Sequence, residues 1–303
     1  TVQPTLSTAP VGFAPTEDFS QTGSDSLGYA HGQSMPTMRD AEVPCCLPFH
    51  ATRFVGRRDD LTQIYEAFAQ AHHRAVTLAG TGGAGKTRLA TQFAQDHQRT
   101  FPGGVWFCDL SEAHSITAMA RSVAQSMGIP LGNGDPVDQL AKVLNMRPRC
   151  LFVLDNFEQL IEHAAATVGA WLKWAPKSCF LMTSREALQI PGEHVIRVTP
   201  FSTDEAIQLF VEYARQVAPD FTCTDENRAS IEDIIARLDG LPLAIELAAK
   251  RMRTLTLSQI NDRLSRRFRL LSTRCHSAND RQATMRATID WSWSLLDPVE
   301  QSI

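Results

Sequence analysis

From Arg57 onward the hydrophobic positions switch repeatedly between two periods. Leu61, Ile64, Ala67 and Phe68 form a helical stripe within Asp60 to His72. Ala75 to Ala79 is a short β-like run ending in glycine, and Thr87 to His97 returns to helical spacing. Val105 to Leu110 reads as a second strand, followed by a helix over Ile116 to Met127 and a Gly/Pro/Asn break over Gly128 to Pro136. Cys150 to Leu154 is a continuous apolar run, the kind found in a parallel sheet buried on both faces. Leu160, Ile161, Ala164, Val168, Trp171 and Leu172 mark one face of a helix that stops before Pro176. Cys179 to Thr183 and His194 to Val198 supply the fourth and fifth strands. The alternation predicts an α/β fold, a doubly wound parallel five-stranded sheet with right-handed crossovers.

Beyond Pro200 the strand pattern ceases. Ser202 and Glu205 have capping-box spacing ahead of a helix over Thr203 to Val217, and helical patterns follow at Glu226 to Leu238, Leu243 to Arg251 and Ser258 to Arg267. An all-α unit is therefore expected after the sheet. The first fifty residues differ from both: 21 are Pro, Gly, Ser or Thr, six are charged, and no period persists. They read as a linker or as a disordered native terminus.

Composition narrows the function classes. With 303 residues, 43% hydrophobic and 20% charged, the chain has the make-up of a globular protein of more than one packed unit. No charge-free apolar run approaches the ~20 residues of a membrane span, and no basic-then-apolar leader opens the sequence. Seven cysteines without paired spacing suggest neither a disulfide framework nor a zinc site, so a reducing cytoplasm is the expected setting. The net charge of -4 averages an acidic body with a basic end: nine Lys and Arg lie between Arg251 and Arg286, opposed by Asp262 and Asp280. A solvated helical face or an interdomain contact explains such a stretch, and a nucleic-acid surface is the competing explanation. Trp291 and Trp293 fit a packed core better than a binding stripe.

The candidate chemistry starts at Gly80-Thr81-Gly82-Gly83-Ala84-Gly85-Lys86-Thr87, which fits GxxxxGK[ST] directly after a strand and before a helix. Glycines let successive backbone N–H groups turn inward around a phosphate, and the helix N-terminus adds positive potential. Lys86 would reach the β/γ-phosphates, and the Thr87 hydroxyl would take one Mg²⁺ position. A plain Gly-rich turn is the alternative. Leu151-Phe152-Val153-Leu154-Asp155 places an acid at a strand's C-terminal edge, so Asp155 is the candidate second metal ligand; an Asp that starts a turn and caps the next helix is the alternative. Asn156 follows, and an amide cannot act as a general base. Glu158 is the nearest acid that could polarise water, or it is a first-turn acid favoured by the helix dipole. Arg185, ending the fourth strand, sits where a guanidinium could fork onto a γ-phosphate.

Arg53-Phe54-Val55-Gly56-Arg57, the run Gly80 to Thr87, Leu151 to Glu158, Met182 to Glu186, Gly240-Leu241-Pro242-Leu243-Ala244 and Arg281 to Ser292 occur in that order. Together they resemble the STAND class of AAA+-like P-loop NTPases, in the NB-ARC branch found in multidomain bacterial regulators. The resemblance implies that Val55, Gly56 and Arg57 line an adenine pocket, largely through backbone, that Pro242 packs on the base, and that Arg185 acts as sensor 1. Gly80, Gly82, Gly83, Ala84, Gly85, Lys86, Thr87 and Arg88 complete the expected nucleotide contacts, with Lys86, Asp155, Arg185 and Glu158 as the catalytic set. It also implies a domain order: linker to residue 48, nucleotide domain 49–200, helical subdomain 201–278, and the start of a winged helix at 279–303, with effector and sensor domains elsewhere.

The function implied is an ATP/ADP switch. ADP would hold a closed state, ATP exchange would permit self-association and an effector or transcriptional output, and slow Mg²⁺-dependent hydrolysis would reset it. Two rivals are a nucleic-acid-dependent ATPase using the basic 251–286 segment and a non-hydrolysing scaffold stabilised by nucleotide. Asn156, where many relatives carry a second acid, argues against fast turnover, and a membrane partner is not expected.

Overall fold

The computed structural model of the protein describes residues 43–69 and 73–272, the side chains of 266–272 excepted. The strands β1 (Cys45–Cys46), β2 (Ala75–Ala79), β3 (Val105–Asp109), β4 (Cys150–Asp155), β5 (Ser178–Ser184) and β6 (Glu193–Arg197) form one parallel sheet in the order β1-β3-β4-β5-β2-β6. Helices α1 (Arg58–Ala69), α2 (Lys86–Asp96), α3 (Ile116–Ser126), α4 (Pro136–Asn145) and α5 (Val168–Trp174) cover it. Successive strand residues face opposite sides, and β4 shows the consequence. Cys150, Phe152 and Leu154 join a core with Met119, Leu140 and Trp171, whereas Leu151 and Val153 join a second core with Ile64, Leu89 and Phe93. An unbroken apolar strand is what a sheet covered on both faces requires.

The sheet has one strand more than the five expected. Cys45–Cys46, inside the stretch read as linker, pairs in parallel with Val105 and Trp106 at the sheet edge. Both cysteines are exposed, so no buried alternation marks them. The break over Gly128 to Pro136 also ends in a further helix: Pro136 is the N1 residue of α4, and the Asp135 carboxylate accepts from the Val137 N–H at 2.7 Å. The single helix expected over Leu160 to Leu172 is two pieces, a 3-10 segment over Phe157–His163 and α5. Between them the buried Thr167 leaves the helical region (φ -108, ψ -87), and its hydroxyl donates to the His163 carbonyl at 2.8 Å.

After β6 the chain becomes helical: α6 (Thr203–Val217), α7 (Asp225–Arg237), α8 (Pro242–Lys250) and α9 (Leu257–Ser272). A third core, which includes Phe210, Ile231, Ile245 and Leu264, holds this lid together. The Ser202/Glu205 capping box forms as the spacing predicts. The connection is clasped at both ends: Val198 N–H donates to the Ala79 carbonyl at 2.8 Å, and Phe201 N–H to the Gly240 carbonyl at 3.0 Å.

Residues before 43, the Arg281 to Ser292 motif, Trp291, Trp293, the winged-helix start and the far end of the basic stretch lie outside the described residues. Among the described residues no helix is long and apolar enough to cross a membrane.

Candidate functional site

The C-terminal ends of β2, β4 and β5 bring the glycine loop, Asp155 and Arg185 to one edge of the sheet. Between β2 and α2 the loop turns through Gly83 (φ +75) and Gly85 (φ +88), left-handed values that glycine adopts at no steric cost. Gly85 is also the residue on which α2 begins, so the amides of the first helical turn open onto the loop. Gly80 serves another purpose. A Cβ there would come within 2.7 Å of the Val198 carbonyl oxygen, so glycine lets β6 lie against the loop.

Lys86 Nζ donates to the carbonyls of Gly80 at 2.9 Å and Thr81 at 3.1 Å. Burial lowers its pKa, while the Glu158 and Asp155 carboxylates pull the other way. Thr87 Oγ1 donates to the Asp155 carboxylate, 2.8 Å from Oδ1 and 3.0 Å from Oδ2, and Thr183 Oγ1 donates to Oδ1 at 2.6 Å. Burial pushes the Asp155 pKa up and the two hydroxyls partly offset it. Thr183 also accepts the Asn156 N–H at 3.1 Å. Asn156 itself is left-handed (φ +60), and its Nδ2 donates to Asp109 Oδ1 at 3.0 Å. Burial would raise the Asp109 pKa, but hydrogen bonds from Ser111 and Asn156 outweigh it and hold the carboxyl below its ordinary value. Glu158 and Arg185 are paired with each other, Oε1 to Nε 3.2 Å.

These groups border a cavity of about 420 Å³, within the usual range for small-molecule sites. Its walls come from three regions. Gly82 to Arg88 form the floor, with Asn156, Glu158 and Arg185 at one end; Arg53, Phe54, Val55 and Arg57 form one side; Leu209, Tyr213, Pro242, Leu243 and Glu246 close it from the lid. The lid touches the loop directly. Leu243 N–H donates to the Gly83 carbonyl at 3.2 Å, and Pro242 sits over Gly85, where an added Cβ would lie 3.7 Å from Cγ.

The structure brings most of the sequence-predicted residues together, but not all in the expected manner. Val55 and Arg57 border the cavity, whereas Gly56 lines a neighbouring groove between α1 and α6. Arg57 is buried, and its guanidinium donates to the Ala84 carbonyl at 2.8 Å. Arg88 donates to the Thr52 carbonyl at 2.6 Å and to the Thr52 hydroxyl. Asp155 stands behind Thr87 and is absent from the cavity wall. Tyr213, Glu246, Phe201 and Asp109 carry no sequence signal, because each is an unremarkable residue of a helix, strand end or connection; Thr183 lies within the Met182 to Glu186 motif, but its bond to Asp155 is not legible there. Burial raises the Tyr213 pKa and the nearby Glu246 carboxylate adds to it.

The donor set suits a nucleoside polyphosphate with a hard cation. An ammonium, inward-turning amides and a hydroxyl paired with a carboxylate meet beside an apolar pocket. Among the described residues no group of three or more His, Cys, Asp or Glu could hold a metal alone. A cation here would therefore share its coordination between Thr87, Asp155 and phosphate oxygens.

The family model described as the NB-ARC domain matches residues 57–218. The chain belongs to the NB-ARC family. An uncharacterized protein of Mycobacterium tuberculosis is 36% identical over 293 residues, covering 95% of this chain and 74% of the relative. A second protein of that organism, provisionally named an HTH-type transcriptional regulator, is 43% identical over 233 residues; the match covers 76% of this chain and 26% of the regulator. The regulatory protein AfsR of Streptomyces griseus is 30% identical over 280 residues, covering 87% of this chain and 27% of AfsR. The chain thus corresponds to about a quarter of either regulator. Among solved structures, a Walker-type ATPase of Pyrococcus abyssi superposes with a TM-score of 0.50 at 12% identity, over 82% of this chain and 92% of that one. Cdc6p of Pyrobaculum aerophilum gives 0.51 at 16% identity, over 66% and 61%. At such identities the likeness concerns the fold, that of a P-loop NTPase.

Proposed function

We propose that this NB-ARC chain is the nucleotide-binding engine of a regulator, closed by ADP and opened by exchange for ATP. The observation that carries the reading is the cavity walled jointly by the P-loop and the lid, with Leu243 N–H bonded to the Gly83 carbonyl across the boundary. A ligand in such a cavity binds the docked and undocked lid unequally, which is the requirement for coupling. Bound ATP supplies the phosphoanhydride that hydrolysis cleaves. Thr87 and Asp155 would hold a Mg²⁺, Lys86 would leave the loop carbonyls for the phosphates, and Phe54, Val55 and Pro242 would exclude water from the base.

Turnover is slow in this reading because the described residues offer no well-placed base. The Asn156 amide cannot take a proton, and Glu158 is engaged with Arg185. Arg185 exchanges that partner for a third phosphate and thereby distinguishes the two nucleotides. The open form self-associates, and domains outside residues 49–278 supply signal and output; the regulators among the relatives favour a transcriptional output. The test is to denature the purified protein and identify any released nucleotide by chromatography. Stoichiometric ADP from the wild type and none from Lys86→Ala is the expected result. No nucleotide, together with no measurable ADP affinity, overturns the proposal.

A further inference from the structure

We propose that Arg57 is a positioning residue through which the lid sets the phosphate affinity of the P-loop. The inference rests on the nucleotide-binding reading and goes beyond it, because the expected adenine contact uses the Arg57 backbone, whereas the role here belongs to its guanidinium, which is bonded to the Ala84 carbonyl. Gly56 and Arg57 are consecutive left-handed residues, φ +66 and +63. For a residue with a side chain this conformation persists where its surroundings over-determine it. Here the surroundings are Glu205, in the first turn of α6 of the lid. Its Oε1 accepts the Arg57 backbone N–H at 2.8 Å, while its Oε2 accepts from the Ser202 N–H and hydroxyl. One carboxylate therefore caps the lid's first helix and pins the turn. The approach needs glycine at position 56, where a Cβ would lie 2.5 Å from Oε1.

The pinned turn aims a buried guanidinium at the loop. Arg57 Nη2 donates to the Ala84 carbonyl at 2.8 Å, Nη1 donates to Asp60 Oδ2 at 3.0 Å, and the group lies 4.4 Å from the centre of the Phe201 ring. Phe201 is clasped in turn by the Gly240 carbonyl. A trans peptide is planar, with its C=O and N–H on opposite sides. Holding the Ala84 carbonyl toward Arg57 turns the Gly85 N–H the other way, to the side on which P-loop amides gather around phosphate. The neighbouring Gly83 carbonyl is held by Leu243. Two successive loop carbonyls thus answer to the lid, one directly and one through Arg57. Lid movement withdraws Glu205, Phe201 and Leu243 together, and by reciprocity phosphate binding favours the docked lid.

The experiment measures ADP and AMP affinities, since the loop amides cradle the α- and β-phosphates and AMP lacks the second. In Arg57→Met the preference for ADP over AMP is expected to fall roughly tenfold, the scale of one charge-assisted hydrogen bond. Glu205→Ala is expected to give a similar fall, and the double variant no further fall, because both act through one guanidinium. Glu205→Gln keeps the Oε1 acceptor and is expected to hold the preference within about twofold of wild type, even though the helix cap is weakened. A purely structural role would lower thermal stability and leave the preference untouched. An unchanged preference in both single variants, or falls that multiply in the double variant, overturns the inference alone. A wild type without Lys86-dependent ADP binding overturns the nucleotide reading and this inference with it.

Discussion

At the scale of single residues, the slow turnover proposed above rests on Asn156. Its left-handed backbone suits asparagine and aspartate, whose short polar side chains tolerate that region. The donated bond to Asp109 fixes which way the amide faces and leaves its carbonyl oxygen as the available acceptor, able to orient a water but not to deprotonate it. Asn156→Asp would set a second carboxylate beside Asp109, and like charges at that distance push one pKa up toward the range of a useful base. Steady-state ATP hydrolysis is expected to rise by about 10²-fold in Asn156→Asp, the lower end for general-base catalysis, and not in Asn156→Ala. Equal rates in wild type and Asn156→Asp would show that proton transfer is not what limits this chain. Asn156 was legible as a departure because it follows an apolar strand and an acid. Asp109 was not: its register partner in the sheet is Asp155, 46 positions away in the chain, and pairing of β3 with β4 cannot be read from either segment alone.

Among the elements, the contact between β6 and the glycine loop offers the sharpest test. Gly80→Ala would drive a methyl to 2.7 Å from the Val198 carbonyl, a backbone atom that cannot rotate away, whereas Gly82 has nothing within 4 Å of a built Cβ and no positive φ. Overpacking of this kind costs about 1–3 kcal/mol, or roughly 2–10 °C in melting temperature for a chain of this size. Gly82→Ala is expected to melt within about 1–2 °C of wild type by the same scale. Circular dichroism on the two variants checks this, and equal melting temperatures would mean that β6 is free to shift. The elements with a strong period were readable because burial imposes it: β2 matches the expected strand, and α6 begins where its capping box says it should. The edge strand β1 is two exposed residues paired on one side, too little burial to leave a pattern. The beginning of α4 carried the ordinary Asp-Pro signal, but neighbouring glycines at 128, 132 and 134 gave the whole stretch the look of a loop. Glu205 was masked differently. Its local duty as a helix cap accounts for it completely, so nothing in the sequence asks for a second partner 148 residues earlier.

For the whole molecule, the shared cavity makes a calorimetric prediction that distinguishes a bridging ligand from one held by the sheet unit alone. The α/β part and the lid have separate hydrophobic cores, joined near the site by Leu243 to Gly83, Glu205 to Arg57 and the Arg57 guanidinium over the Phe201 ring. Separate cores can melt separately when the joints between them are few. Ligand at 100 times its dissociation constant adds about 2.7 kcal/mol to whatever unit binds it, equivalent to roughly 5–10 °C here. If ADP is gripped by both units, undocking the lid forfeits that energy, so lid and sheet should unfold together. One calorimetric transition, raised by that amount with ADP and unmoved in Lys86→Ala, is the expected outcome. Two transitions of which ADP raises only one would place the ligand within a single unit. The lid would then be a neighbour of the site rather than part of it, and coupling through Arg57 would have no route.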